Sequence, residues 1–227
     1  MSDKINRDTL TKDTQQVFAK FLVEAKKAGV NVLTEAEREA SRVKALSQLS
    51  PNEPFWLFAY GSLMWNPVVK TCAEKPASLI GWHRAFCIDQ PMSRGSIDNP
   101  GLMMGLAPGG SCQAKVYRIA KQDIESESYL LWKREQSTDI YLPQWLQVDT
   151  IDGPIKALAF VVDAAHPRIR LDLSLQVQGD IIAQAKGIMG SNDEYLFNTM
   201  AELKKLNIVD ADLEALTQQV LLRASRK

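Results

Sequence analysis

The sequence predicts an α+β protein with a largely antiparallel or mixed sheet, and three observations carry that expectation. Apolar residues recur at helical spacing through the first fifty residues and again after Leu173. Between these regions lie segments of β-type composition, separated by turns rich in glycine, proline and aspartate. A single helical segment interrupts those strands, which is not the regular strand–helix alternation of a parallel sheet.

Taken in order, Val17, Phe18, Phe21, Leu22 and Ala25 share one face of a first helix, and Gly29 supplies its stop. Thr34 with Glu37 makes a capping box for a second, charge-rich helix reaching about Leu49. Residues 1–50 therefore read as a helical N-terminal extension without chemistry of its own, set off by Pro51 and Pro54 from a main domain over 51–227. Phe55 to Tyr60 is an unbroken aromatic and aliphatic run, as expected of a buried strand. It ends at Gly61-Ser62, where small residues let the backbone approach a ligand. Further strands are expected over Ala77 to Ile88, Leu102 to Ala107 and Ser111 to Ile119, with Pro108-Gly109-Gly110 as a hairpin turn between the last two. The stretch from Asp89 to Gly101, with Pro91, Arg94, Gly95 and Pro100, reads as a surface loop of the kind that borders sites.

Asp123 can cap a helix carrying Tyr129, Leu130, Leu131 and Trp132 and ending near Arg134-Glu135-Gln136. Strands over Tyr141 to Thr150 and Ile155 to Asp163 follow, joined at Asp152-Gly153. A helix from Leu173 to Ala185 is broken by Gly187 to Gly190. Ser191 with Glu194 forms a second capping box before a helix that starts at Tyr195, and Asp210 opens a last one.

Lys+Arg and Asp+Glu both number 27, so the formal net charge is zero. That argues against nucleic acid or an anionic membrane surface as the main partner, since both demand an excess of cations. The start, Met1 to Asp8, is polar and unlike a secretory signal, and no apolar run approaches the ~20 residues that span a bilayer. Cys72, Cys87 and Cys112 are odd in number and widely spaced, as expected of reduced thiols in a cytoplasmic protein. They match no zinc spacing, and His83 and His166 are the only imidazoles, so no metal site is expected.

Ser62 follows a strand and could be a nucleophile, but the second glycine of a G-x-S-x-G elbow is missing. Its base would have to be His83, on an expected strand, or His166, in an expected loop. Glu135 is the better candidate. At three and four positions after Trp132 and Leu131 it shares their buried face, and it sits at the negative end of the helix dipole. Both effects raise a carboxylate pKa toward the range of a general base. Lys133 and Arg134 oppose this, but leave the helix on other faces. Tyr195 can point its phenol into a site beside a helix N-terminus, and Arg84 and Arg94 are candidate carboxylate clamps.

These stretches together resemble the ChaC-type γ-glutamylcyclotransferases that act on glutathione. The resemblance runs from Phe58-Ala59-Tyr60-Gly61-Ser62-Leu63-Met64-Trp65 through Gly81-Trp82-His83-Arg84, Arg94-Gly95 and Trp132-Lys133-Arg134-Glu135 to Glu194-Tyr195-Leu196. It implies a mixed, partly closed β-barrel flanked by helices. It also implies that Ala59, Tyr60, Gly61, Ser62, Leu63 and Met64 hold the γ-glutamyl group, with Glu135 as catalytic acid/base. Tyr195, with Arg84 or Arg94, would clamp the α-carboxylate. The implied reaction is a cytoplasmic, cofactor-free cyclisation of glutathione to 5-oxoproline and Cys-Gly. Alternatives are a cyclotransferase acting on another γ-glutamyl amine or protein, a hydrolase using Ser62, and a non-catalytic γ-glutamyl-binding module. The oligomeric state is left open, a monomer included.

Overall fold

A computed structural model describes residues 7–11 and 15–224. The order is α1 (Arg7–Thr11), α2 (Gln15–Lys27), α3 (Glu35–Leu46), β1 (Phe55–Ala59), α4 (Ser62–Trp65), β2 (Ala73–Gln90) and β3 (Gly101–Ile119). It continues with α5 (Ile124–Glu135), β4 (Tyr141–Thr150), β5 (Gly153–Val162), α6 (Leu175–Gln184), the short pair β6 (Lys186–Gly187) and β7 (Gly190–Ser191), α7 (Asn192–Lys205) and α8 (Ala211–Ala224). Met1 to Asn6 and the side chain of Val17, on which expectations rested, lie outside the described residues.

The large strands close into a barrel in the order β1-β3-β2-β4-β5. All pairings are antiparallel except β1 with β5, which is parallel and rests on one pair, Leu57↔Leu158. The β2–β4 seam is nearly as thin, with Ala77↔Thr150 and Ser78↔Asp149. Every side chain of β1 is buried, as is the second half of β5, because barrel interior and helices cover both faces. The phenol of Tyr60 donates to Phe160 O at 2.7 Å across the β1–β5 seam, and that of Tyr141 donates to Met104 O at 2.7 Å.

The hairpin expected at Pro108-Gly109-Gly110 does not form. β3 runs straight through it, and the β2–β3 register steps from Ile80↔Ser111 to Trp82↔Pro108. The positive φ of Gly109 (101°), Gly110 (65°) and, facing them, Gly81 (85°) builds a bulge instead. Glycines that could reverse the chain here bend a long ribbon. The true β2–β3 connection is the 91–100 loop, which closes on the pair Gln90↔Gly101.

At the N-terminal side, Phe18, Phe21 and Ala25 are buried in the same core as the barrel, and Gly29 (φ 69°) ends α2. The Thr34–Glu37 capping box forms in full. α3 then holds α5: Arg42 pairs with Glu125 and donates to Ser128 Oγ at 2.9 Å, while Trp132 Nε1 donates to Ser41 Oγ at 3.1 Å. Arg7 pairs with the buried Glu127 of α5.

The second capping box is not made. α7 starts at Asn192, Ser191 makes no side-chain cap bond, and Glu194 turns to Arg94 Nη1 at 2.8 Å. Asp123 likewise occupies the N-cap of α5 without a side-chain bond. Asn192 anchors α7 to the sheet instead: its Oδ1 accepts from Leu102 N at 2.6 Å and its Nδ2 donates to Leu102 O at 2.7 Å, fully buried. Asn192→Ala orphans both backbone groups and is expected to cost roughly 2 kcal/mol or more, read by urea unfolding. A loss within ~0.5 kcal/mol would mean that the anchor is dispensable.

Candidate active site

At the barrel mouth two connected hollows meet. An outer cleft of about 120 Å³ is bordered by the 91–100 loop, the end of α5 and the first turn of α7. A small inner chamber of about 20 Å³ lies beneath the corner that follows β1. Ser62, Glu135, Tyr141 and Tyr195 line both hollows, so they surround the passage between them.

The corner Tyr60 to Leu63 forms the wall of the inner chamber. The corner after β1 leads into a one-turn helix, α4, whose opening N–H groups precede any intrahelical acceptor. Ala59 and Met64, expected to hold substrate, are buried in the core and line neither hollow. They hold the corner from behind; Met64 O also accepts the Tyr117 phenol at 3.1 Å.

Glu135 is the last residue of α5, and only 12% of its side chain is exposed. Burial pushes its pKa above the ordinary glutamate value, with the neighbouring Arg134 pulling the other way. Arg134 does not leave on another face, as expected from helical spacing. The helix ends one residue later, so its side chain folds back into the cleft, with Nε 3.2 Å from Glu135 Oε1. That approach lacks hydrogen-bond geometry, and Glu135 Oε1 has no hydrogen-bond partner. Arg134 also donates to Asn66 O at 2.6 Å and to Ser62 Oγ at 2.9 Å.

Tyr195, in the first turn of α7, is packed edge-on between the rings of Trp65 and Phe86 at 5.9 and 5.7 Å. Burial raises its phenol to about 12, against a hydrogen bond with Ser62. It is therefore a neutral donor at physiological pH. Arg94 lines the outer cleft and stacks 5.8 Å from the Tyr195 ring centroid, while its Nη1 donates to Ser191 O at 2.9 Å and to Glu194. The loop bearing it is interlocked at Gly95, where a Cβ would sit 2.1 Å from Gly101 N.

Arg84 lies elsewhere. It lines neither hollow, and it donates from Nε to Tyr60 O at 2.7 Å, from Nη1 to Asp210 at 2.8 Å and from Nη2 to Gln113 O. The expected clamp is thus a buried brace holding the corner from the opposite side. His83 and His166 also stay out of the cleft; the first meets Gly109 O at 3.1 Å and the second Asp139 at 3.4 Å. Ser62 therefore has no imidazole base. Among the described residues no cluster of His, Cys, Asp and Glu suits a metal ion.

Several residues of this site carry no local signal in the sequence. Phe21 brings the N-terminal helices to the cleft wall, Tyr141 comes from β4, and Gln90, Ser93 and Arg168 line the outer cleft. Gln90 and Ser93 fall in the 89–101 stretch expected to border a site, but nothing in the spacing of Phe21, Tyr141 or Arg168 marks them, because strands and loops far apart in the chain bring them together.

A carboxylate of raised pKa beside a narrow chamber walled by backbone, with a buried phenol opposite, is an arrangement suited to acid/base chemistry on a small molecule. Comparison with known proteins gives the class. The family model for ChaC-like proteins matches residues 55–223. The chain is 41% identical over 192 residues to the glutathione-specific γ-glutamylcyclotransferase of Escherichia coli, covering 84% of this chain and 83% of that protein. It is 24% identical over 199 residues to the Schizosaccharomyces pombe enzyme of the same name, with coverage of 78% and 97%. The crystal structure of a yeast γ-glutamylcyclotransferase specific to glutathione superposes with a TM-score of 0.71 at 19% identity, over 78% of this chain and 99% of the other. The chain belongs to the ChaC-like family, and it has the γ-glutamylcyclotransferase fold, with the expected barrel flanked by helices.

As a brace Arg84 holds Tyr60 O and Asp210, so Arg84→Ala unpairs Tyr60 O and leaves Asp210 without its ion-pair partner. We expect it to cost about 3 kcal/mol of stability, read by urea unfolding. A variant of wild-type stability that had lost only substrate affinity would restore the clamp.

Proposed function

We propose that this chain is a glutathione-specific γ-glutamylcyclotransferase, a cofactor-independent carbon–nitrogen lyase, with Glu135 as its acid/base. The observation that carries the mechanism is the desolvated carboxylate at the passage between the hollows. The inner chamber takes the γ-glutamyl group against Tyr60, Gly61, Ser62 and Leu63. The outer cleft takes the leaving dipeptide.

An α-ammonium has no lone pair, so Glu135 first removes a proton from it. The freed amine attacks the γ-carbonyl carbon, closing a five-membered ring. The oxyanion that develops is met by the N–H groups of Gly61, Ser62 and Leu63. The bond to the cysteine nitrogen then breaks. Of the three ammonium protons, one stays on the lactam nitrogen and the others pass by way of Glu135 to the departing nitrogen. The products are 5-oxoproline and Cys-Gly, and no water is consumed. Tyr195, with Arg94 beside it, holds the α-carboxylate so that amine and carbonyl meet, which is an orientation effect. Arg134 positions Glu135 and Ser62 without touching the reacting atoms.

A balanced charge argues for a small-molecule substrate rather than nucleic acid. Cys72, Cys87 and Cys112 are free thiols, which suits a reducing cytoplasmic compartment, and no described helix is long and apolar enough to cross a membrane. A monomer contains the whole proposed site.

Purified protein incubated with glutathione is expected to release 5-oxoproline and Cys-Gly in equal amounts, read by mass spectrometry. Free glutamate in their place would make it a hydrolase. Glu135→Gln should lower kcat by ~10²-fold or more while substrate still binds, and retention of a tenth of wild-type kcat would remove Glu135 as the base. Ser62→Ala should keep partial activity, since the serine positions and does not attack; complete loss in a folded variant would revive the nucleophile.

The pH dependence has a defined sign. Glu135 must be ionised to accept the first proton, so kcat/KM falls as pH drops through its raised pKa. The acid limb is therefore expected above the ordinary glutamate value of about 4.3. A profile flat down to that value would contradict a desolvated base.

A further inference from the structure

The outer cleft contains buried polar atoms that the mechanism does not use. Gln90 Oε1, Ser93 Oγ and all three nitrogens of the Arg168 guanidinium are shielded from solvent and have no hydrogen-bond partner. Such groups are rarely left unsatisfied in a folded protein, and a guanidinium cannot shed its charge to escape the cost. The nearest carboxylates offer field but no contact: Asp89 and Asp139 attract Arg168 without hydrogen-bonding it. Asp139 is engaged elsewhere, accepting from Asn31 at 2.8 Å and facing His166 at 3.4 Å.

The backbone that carries Arg168 is fixed. Arg168 O accepts from Asp89 N at 2.9 Å, Arg170 N donates to Cys87 O at 2.7 Å, and Ile169 bridges to Ile88. Arg168 N in turn donates to His166 Nδ1 at 3.2 Å. His166, a possible base by composition, therefore shapes the support of this arginine. Arg168 lines the outer cleft and not the inner chamber, and unlike Arg94 it is not stacked on Tyr195 at the passage between them, so it faces the part of a substrate that lies beyond the scissile bond.

We propose that Arg168 binds the terminal carboxylate of the leaving peptide, making the outer cleft a subsite that selects γ-glutamyl peptides with a free C-terminus over γ-glutamyl amines. This rests on the reading of the inner chamber as the γ-glutamyl pocket. The planar fork of a guanidinium matches a carboxylate in two parallel hydrogen bonds. Gln90 and Ser93 add an amide and a hydroxyl for the peptide link. The unliganded protein bears the desolvation of the arginine, and the ligand supplies the missing partner.

The test is calorimetric binding in a Glu135→Gln background, which prevents turnover, using glutathione and its C-terminal amide. Glutathione should bind about 10- to 100-fold more tightly than the amide, the range expected for a charge-assisted bidentate contact. Adding Arg168→Gln should erase that preference by weakening glutathione alone, and Arg168→Lys should restore part of it. Without ligand, Arg168→Gln should melt no lower than its parent, because it removes an unpaired buried charge. Equal weakening of both ligands, no weakening of either, or a lower melting temperature would overturn the subsite. Carboxylate preference in a protein that yields no 5-oxoproline from glutathione would instead overturn the cyclotransferase reading and leave the subsite standing.

Discussion

One guanidinium joins the two halves of the site. Arg134 reaches from the last turn of α5 to Ser62 Oγ and Asn66 O, and it stands beside the Glu135 carboxylate. These contacts tie the corner after β1 to the end of α5 across the cleft. Its charge also sets a compromise. Burial raises the Glu135 pKa and the Arg134 charge restrains the rise.

The position of α5 is in turn fixed from the N-terminal side. Arg7, Ser41 and Arg42 hold it through Glu127, Trp132, Glu125 and Ser128, and Phe21 continues the same surface into the cleft. The first fifty residues read as an extension in the sequence. In the structure Phe18, Phe21 and Ala25 lie in the same core as the barrel, and Arg7, Ser41 and Arg42 tie this region to the helix that ends at Glu135.

Much of this was legible because local patterns are strong where burial is one-sided or complete. The all-buried β1, the face of α2 and the Leu131–Trp132–Glu135 relation follow directly from side-chain spacing. The misreadings share a cause: a local signal with two structural uses. Pro108-Gly109-Gly110 has turn chemistry, yet a paired ribbon on both sides turns it into a bulge. Ser191 and Glu194 have capping-box spacing, yet Arg94 from a distant loop outbids the helix for the carboxylate. Arg84 is suited to a ligand carboxylate but meets Asp210 and Tyr60 O instead. Arg168 was invisible for the opposite reason. Its meaning comes from the partners it lacks, and no sequence pattern records a missing contact.

The thin seams of the barrel have a mechanical consequence. With a single β1–β5 pair and two β2–β4 pairs, the cylinder is built as two stiff ribbons, β1–β3–β2 and β4–β5, joined along two weak lines. The phenols of Tyr60 and Tyr141 fasten one ribbon to the other through Phe160 O and Met104 O. Both phenols belong to residues that line the inner chamber. Two bolts rather than a ladder thus set the width of the barrel mouth, and the rigidity of the chamber is a property of side chains as much as of the sheet.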